Sequence, residues 1–466
     1  MKGVNRMLMD SSARRRLTAL IAVTAIAISA CGTSGSSAAP AASAPAASAP
    51  AASAPAASAP EASAPAASGA AGSIVVTSLW GGSEQESFQK VLDAFNASGE
   101  CKATYESIRT DYATVLQTRI TGGNPPDVSI LPGIGFLRRF ARDGSIKKIS
   151  DLGIDPVALE AGYAPGVLDI GKVDDVLYAI MVKFNSKSTL WYRPDQFTAD
   201  GVTPPKTWDD FKTVLKAIAA KGTKPLGLGT SPDTWTLTDW FESIYLRQAG
   251  GDMYDQLFAG KIPWTDPSVQ KAVDTMKEVL NDDYVAGGIT AANGRAWVDG
   301  IAQVFGEKAV ADMYYEGGFV GGIATGQVNK ALVPGTTIDW TDFPSIGGPD
   351  ANPVTIGGDV IAALTDKPCV KEFITFMTTA DSGNTWAKTG AIISPIKAVS
   401  TDSYPTDLVK REAAQVTGAS VVKFDGSDLL PAGSPDLGAE LQKAIAGSTV
   451  DWASFESQVK TAWGNE

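Results

Sequence analysis

Aromatic rings and carboxylates recur side by side in this chain, mostly where a strand or helix is expected to give way to a turn. The sets are Trp80 with Glu84; Trp235, Asp239 and Trp240; Tyr314, Tyr315 and Glu316; and Asp359 after Gly357-Gly358. An indole or phenol ring has an electron-rich face that suits weakly positive C–H groups. A carboxylate has several acceptor sites and can hold two neighbouring hydroxyls at once. Together they are what a neutral, hydroxyl-rich ligand requires. Core packing competes for the same residues: Trp208 opens a helix and Trp191 lies inside a strand, and both read as packing residues. Asp127 follows two prolines at a strand start, where it either caps a turn or faces a cleft. Asp174-Asp175 reads as a hairpin turn.

Several kinds of chemistry are excluded or unsupported. The chain has no histidine, which removes Ser-His-Asp and Cys-His nucleophiles and the imidazole ligands of most catalytic zinc sites. Hydrolysis by two carboxylates survives, and Glu84 with Glu316 is the pair to nominate; it would need a separation of about 5–5.5 or 6.5–9.5 Å. No dinucleotide fingerprint, P-loop, CxxC or EF-hand loop occurs. Neither a metal nor a cofactor is expected. With 39 Lys+Arg against 51 Asp+Glu, the net charge is −12. That balance would not neutralise a phosphate backbone, so nucleic acid is not an expected partner.

The elements that position these residues alternate. IVVTSL (74–79) is a strand ending at Trp80. SEQESFQKVLDAFNAS then places Phe88, Val91, Leu92 and Phe95 on one helical face, with Ser83 as N-cap. ATYESI (103–108) is a second strand, DYATVLQTRITGG a helix stopped by glycines, and DVSIL (127–131) a third strand. This β-α-β-α-β order predicts a mainly parallel, doubly wound sheet, with binding beyond the strand C-terminal ends. Trp80, Glu84, Arg109 and Asp111 fall at that rim. VDDVLYAIMVKFN reads as a hairpin and STLWYR as a strand. Thr207 caps a helix that ends by Gly222. The middle of the chain is helical, AVADMYY (309–315) and VIAALT (360–365) return to strand, and KEFITFMTT and the tail from Leu408 are helical. Such an order suggests two α/β lobes that share the chain discontinuously.

The first residues give an address. Arg14-Arg15-Arg16 precedes LTALIAVTAIAISA and a small-residue cut point, the pattern of a secretory signal. The apolar run is shorter than the about 20 residues a membrane span needs. Residues 38–68 repeat AASAP, broken by Glu61. A proline every five residues blocks helix, and no large apolar side chain can build a core, so the tract is expected to be disordered or extended. At about 3.1 Å per residue, some 40 residues of such chain would reach at most roughly 120 Å. The three cysteines are Cys31, Cys101 and Cys369. With Cys31 otherwise engaged, an even remainder in an oxidising compartment favours a Cys101–Cys369 disulfide over two separate buried thiols.

The ordered combination of motifs resembles a known family. Ile28-Ser29-Ala30-Cys31 resembles a bacterial lipobox. With it come GGNPPDV, FARDGSIKKISDL, LYAIMVKFNSKSTLWYRPDQF, PPKTWDDF, TDWFESIYLRQAGGDMYDQLFAGKIPWTDP, GEKAVADMYYEGG and AIISPIK. Together these resemble family 1 extracellular solute-binding proteins of ABC transporters, and among them the α-glucoside-binding proteins. The resemblance runs from Ser73 onward. VPGTTIDWTDFPSIGGPDANPV is short for that group and AANGRAWVDGIAQVF departs from it.

The resemblance implies a signal at 1–31 ending in lipidated Cys31, a tether at 32–72 and a two-lobed binding domain at 73–466. Lobe one would comprise roughly 73–182 and 305–364, and lobe two roughly 183–304 and 365–466. An α-glucoside or related oligosaccharide would be captured between the lobes without chemistry and delivered to a permease outside the cytoplasm. The chain is expected to act as a monomer. By position, the ligand contacts would be Trp80, Glu84, Arg109, Asp111, Lys183 near the hinge, Trp235, Asp239, Trp240, Tyr315, Glu316 and Asp359. A sugar receptor or adhesin without transport, and a glycosidase, are the competing readings.

Overall fold

Strand residues here alternate between two apolar faces, and that alternation builds the larger sheet. The computed structural model describes residues 72–464 apart from 110, 111, 133, 164, 165 and 233. Cys31, the expected signal and nearly all of the expected tether lie outside the described residues, as does Asp111. The described residues fall within one compact unit. Its strands are β1 (Ser73–Ser78), β2 (Lys102–Ser107), β3 (Val128–Leu131), β4 (Ala179–Ser186), β5 (Thr189–Tyr192), β6 (Met313–Tyr315), β7 (Asp339–Asp342), β8 (Pro353–Ala363) and β9 (Val421–Phe424). A short hairpin, 172–177, precedes β4.

One sheet has the order β9-β8-β3-β1-β2, with β4 also paired to β8. The β1, β2 and β3 pairings are parallel, as the β-α-β-α-β reading requires. β8 runs antiparallel to β3 and β4, so the sheet is mixed rather than wholly parallel. Ile74, Val76, Val128, Ile130, Ile180, Val182, Ile361 and Ala363 enter the core on one face. Leu131, Ala179, Met181, Val354, Ile356, Val360 and Ala362 enter the core on the other. The period of two is that of a pleated strand with helices on both sides.

A three-stranded antiparallel sheet, β6-β5-β7, organises the second lobe. Leu190, Met313 and Tyr315 face one core, and Trp191, Tyr314 and Trp340 the other. The helix Trp208–Ala219 packs there; Thr207 caps it in a full capping box with Asp210. The helix Trp235–Ala249 is buried along most of its length.

Each core draws on distant parts of the chain. Met313, Tyr315 and Phe343 pack with 183–304, whereas Cys369, Val370, Phe373 and Trp386 pack with the first lobe. The chain therefore crosses between cores at 186–189, at 343–353 and after β9. Three local expectations also change. Ser83 is the first helical residue, not the cap, and Gly82 occupies the cap with positive φ. The 309–315 strand shrinks to Met313–Tyr315. The tail from Leu408 is not helical throughout: Val421–Phe424 pairs in parallel register with Pro353–Ile356.

Cys101 and Cys369 form a disulfide with Cα atoms 5.5 Å apart, as the cysteine count favoured. It joins the start of β2 to the helix Pro368–Met377 within the first lobe's core. The turn at Asp174-Asp175 is also as expected, with φ of 50° and 62°.

Candidate functional site

β4 and the crossing that follows it each carry a lysine, Lys183 and Lys187, and the site is built around them. Opposite β4, β8 shifts register between Asp359 and Val360. That irregularity re-aims side chains and sets Asp359 across from Lys183, with Nζ–Oδ2 at 3.1 Å. Lys183 Nζ also lies 3.1 Å from Glu84 Oε1 and 4.6 Å above the Trp80 ring. Burial pulls the Lys183 ammonium down, but Asp359 and Glu84 outweigh it and hold the group above its ordinary range. Burial pushes the Asp359 carboxyl up, against the pull of Lys183.

Lys187 makes a parallel arrangement one turn of chain further on. Its Nζ lies 3.0 Å from Asp239 Oδ1 and also bonds Asp425. A Cβ on Gly357 would stand 2.5 Å from the Lys187 side chain, and one on Gly358 would stand 2.4 Å from the Lys183 carbonyl. The glycine pair before Asp359 thus serves close approach, as its sequence suggested, and what approaches is the crossing segment itself. Lys187 is held well above its ordinary range: burial opposes this, and Asp239 and Asp425 overcome it.

Around Lys187 the carboxyls sort by environment. Asp425 stays below the ordinary range because Lys187 outweighs its burial. Burial pushes Asp239 to about 6 despite Lys187. Glu316 is fully buried and pairs with no cation among the described residues, so burial and the Asp239 charge raise it well above a normal carboxyl. Both Glu316 carboxyl oxygens and Asp239 Oδ2 are buried without a hydrogen-bond partner among the described residues, so nothing offsets the cost of charging Glu316 there. Glu242 accepts the amides of Gly426 and Ser427 and the Tyr254 hydroxyl, each at 2.8 Å, which fixes the turn after β9.

Beside this network lies a cavity of about 700 Å³. The first turn of the helix Ser83–Ser98 supplies Ser83, Glu84 and Ser87, and Pro132 follows β3. Lys187, Asp425, Ser427 and Asp428 come from the crossings, and Trp235, Trp297 and Phe319 from the second lobe. These three rings form one wall: Trp235 and Trp297 have centroids 5.3 Å apart and Trp235 and Phe319 5.9 Å apart, all near-perpendicular. Each is only part-buried, so ring surface remains for a ligand. Gln327 Nε2 donates to Ser83 Oγ across the two lobes at 3.1 Å.

The residues nominated from sequence fall into three groups. Glu84 and Trp235 line the cavity. Lys183, Asp359, Asp239 and Glu316 are buried in the networks directly behind it, where they position cavity groups rather than line the cavity. Trp80, Trp240 and Tyr315 are core residues, each 2% exposed. Trp80 packs on Phe88, Tyr105 and Trp386, and Trp240 on Tyr315 at 4.6 Å. Arg109 is exposed and lies against Gly81 outside the cavity. Asp127 is structural: it accepts Val75 N at 3.0 Å and Thr365 Oγ1 and Lys367 Nζ at 2.8 Å, at the start of β3 rather than its rim. That resolves its two readings toward the turn.

Lys187, Asp425, Ser427, Asp428, Trp297 and Phe319 were not singled out from sequence. The signal for three of them is KFDGSD, a β-rich run ending in Asp-Gly, the same strand-to-turn logic that drew attention to Trp80. Reading the tail as helical concealed it. Trp297 lies in AANGRAWVDG, a segment without an expected role.

Residues 81–384 match the bacterial extracellular solute-binding protein family. The chain belongs to that family. It is 28% identical over 354 residues to the osmoprotective compounds-binding protein GgtB of Synechocystis sp., covering 75% of this chain and 82% of that protein. It is 28% identical to the alpha-glucosides-binding periplasmic protein AglE of Rhizobium meliloti, over 77% of this chain and 80% of that one. Among solved structures, a chitin oligosaccharide binding protein superposes with a TM-score of 0.70 at 20% identity, covering 84% of this chain and 98% of that one. RafE in complex with raffinose gives 0.66 at 17% identity, over 84% and 99%. These likenesses show the two-lobed α/β binding-protein fold that the sequence implied. Among the described residues no helix is long and apolar enough to cross a membrane.

Proposed function

We propose that this chain is the sugar-capturing component of an ABC importer, holding an α-glucoside or related oligosaccharide between its lobes and presenting it to a permease. The observation that carries this is the cavity's composition. Three part-buried rings stand on one wall, and Glu84, Ser83, Ser87, Ser427, Asp425 and Asp428 offer oxygens on the others. Rings bind the C–H faces of a sugar, and carboxylates and hydroxyls its O–H groups. Kinship with an alpha-glucosides-binding protein supports the substrate class.

Capture would proceed by closure. A sugar touching rings of the second lobe and Glu84 of the first gains contacts only when the lobes approach, so it favours the closed form by that difference. Lys183 on β4 and Lys187 on the crossing, four residues apart, each tie this segment to carboxylates of neighbouring elements, so movement at the crossing would be felt on both sides of the cavity.

A binding role without chemistry agrees with the site. Of the two carboxyls nominated for hydrolysis, Glu84 reaches the cavity while Glu316 is fully buried and does not line it. The proposal extends to the chain's start, with Cys31 lipidated and the AASAP tract a tether that keeps the domain near its permease and raises the local concentration there. Calorimetric titration with di- and trisaccharides tests the sugar reading: saturable binding is expected, and no response to any of them would overturn it. Loss of uptake of that sugar, rather than of adhesion, on deleting the chain would separate transport from a receptor role.

A further inference from the structure

The 700 Å³ cavity is not the end of the cleft. A second cavity of about 420 Å³ adjoins it, bounded by Gly135 and Phe136 of the first lobe, Thr234 of the second, and the 427–437 segment. Trp235, Ser427 and Asp428 line both cavities. The first alone is within the roughly 300–1,000 Å³ that suffices for a drug-sized ligand such as a disaccharide. A disaccharide would leave the second one unused.

The second cavity has preformed walls. The helix Gly135–Arg142 is fixed against the 427–430 turn: Arg138 Nη1 donates to Leu429 O at 2.8 Å, and a Cβ on Gly135 would stand 2.7 Å from Leu430 O. Phe136, on the first turn of that helix, is 37% exposed, a large ring left uncovered where the cavity opens. Asp428 stands at the join. Its backbone amide donates to Asp425 Oδ1; burial and the Asp425 charge push its carboxyl well above the ordinary range, and that carboxyl takes no hydrogen bond among the described residues. Two rings and an uncommitted acceptor therefore lie along one path.

From this we infer that a single ligand runs through both cavities, so that the chain selects a linear oligosaccharide of three or more units. Trp235 is the platform at the join, Phe136 the platform for the distal unit, and Asp428 accepts hydroxyls from units on either side of Trp235. The inference rests on the carbohydrate reading above.

Its test uses the purified full chain and calorimetric titration with two-, three- and four-unit members of α-linked glucose, β-linked xylose and β-linked N-acetylglucosamine series. In the series that binds, the three- or four-unit sugar is expected to bind at least about tenfold more tightly than the two-unit one, the value of one good ring contact. Phe136→Ala should abolish that gain and leave the two-unit affinity within about twofold, and Phe136→Trp should keep the gain. Equal affinity across lengths, or a gain that survives Phe136→Ala, overturns the two-cavity ligand while leaving the sugar reading intact. No binding in any series overturns the sugar reading and this inference with it.

Discussion

Glu412 offers a stability measurement whose size and pH dependence both follow from its surroundings. It is 3% exposed on the helix Asp407–Thr417 and accepts the amide of Ser186, where β4 ends, at 2.9 Å. It also lies directly against Gly318, where a Cβ would stand about 2.0 Å from its carboxyl carbon and oxygens. Burial raises its pKa from 4.5 to about 7, against the opposing pull of the Ser186 amide. Each pH unit of that rise is worth about 1.36 kcal/mol, so ionised Glu412 costs the folded state about 3 kcal/mol at pH 8. The sign follows from the raised folded pKa. Below pH 4.5 both states are protonated and nothing is lost. Between 4.5 and 7 the unfolded chain ionises while the folded one holds its proton, and stability falls. Glu412→Gln keeps the acceptor and the shape but cannot ionise. The variant should be more stable than the parent by about 3 kcal/mol at pH 8 and indistinguishable from it below pH 4.5. At about 2.1 cal/mol/K per residue of unfolding entropy, that is a rise of about 4 °C in Tm at pH 8. Thermal unfolding followed by circular dichroism from pH 4 to 8.5 measures it. A Gln variant that is less stable at pH 8, or whose difference does not change with pH, would refute the reasoning.

Three further outcomes are expected. Lys187→Met leaves Asp239 and Asp425 buried without their cation, so it should cost about 3–5 kcal/mol, read by urea unfolding at pH 7.5; a loss under 1 kcal/mol would contradict the charge network. Reducing Cys101–Cys369, which closes a loop of 268 residues, should lower stability by about 2–5 kcal/mol, seen as a lower Tm with dithiothreitol; an unchanged Tm would remove the bridge from the account of first-lobe stability. Cys31→Ser should release the chain from membranes into the soluble fraction of expressing cells, and retention of the variant on membranes would count against a lipid anchor.

What could be read from sequence divides along physical lines. β1 to β3 and the intervening helices were legible because their apolar periods, 2.0 and 3.6, are set by local geometry. The Thr207 cap and the Asp174-Asp175 turn were legible because their chemistry is local too. β9 was not: four residues whose pairing partner lies some 70 positions earlier leave little local signal, and a helical reading of the tail absorbed them. The site shows the same division. Glu84 and Trp235 reach the cavity as their turn positions suggested. Trp80 and Trp240 have the right residue type, but nothing in sequence says whether an indole beside a turn faces the cavity or the core, and both went to the core. Lys183 and Lys187 differ in the same way, because only the pairing of β4 with β8 decides which lysine reaches the cavity.

The central claim is that the Trp235–Trp297–Phe319 wall binds sugar against the carboxylates opposite it. Calorimetric titration of the parent chain and of Trp235→Ala, with the tightest-binding oligosaccharide of the panel, tests it most directly. Saturable binding by the parent is expected, with affinity weakened by about tenfold or more in the variant, whose Tm stays within about 2 °C because Trp235 is only part-buried. Binding of equal strength in the two proteins would contradict it.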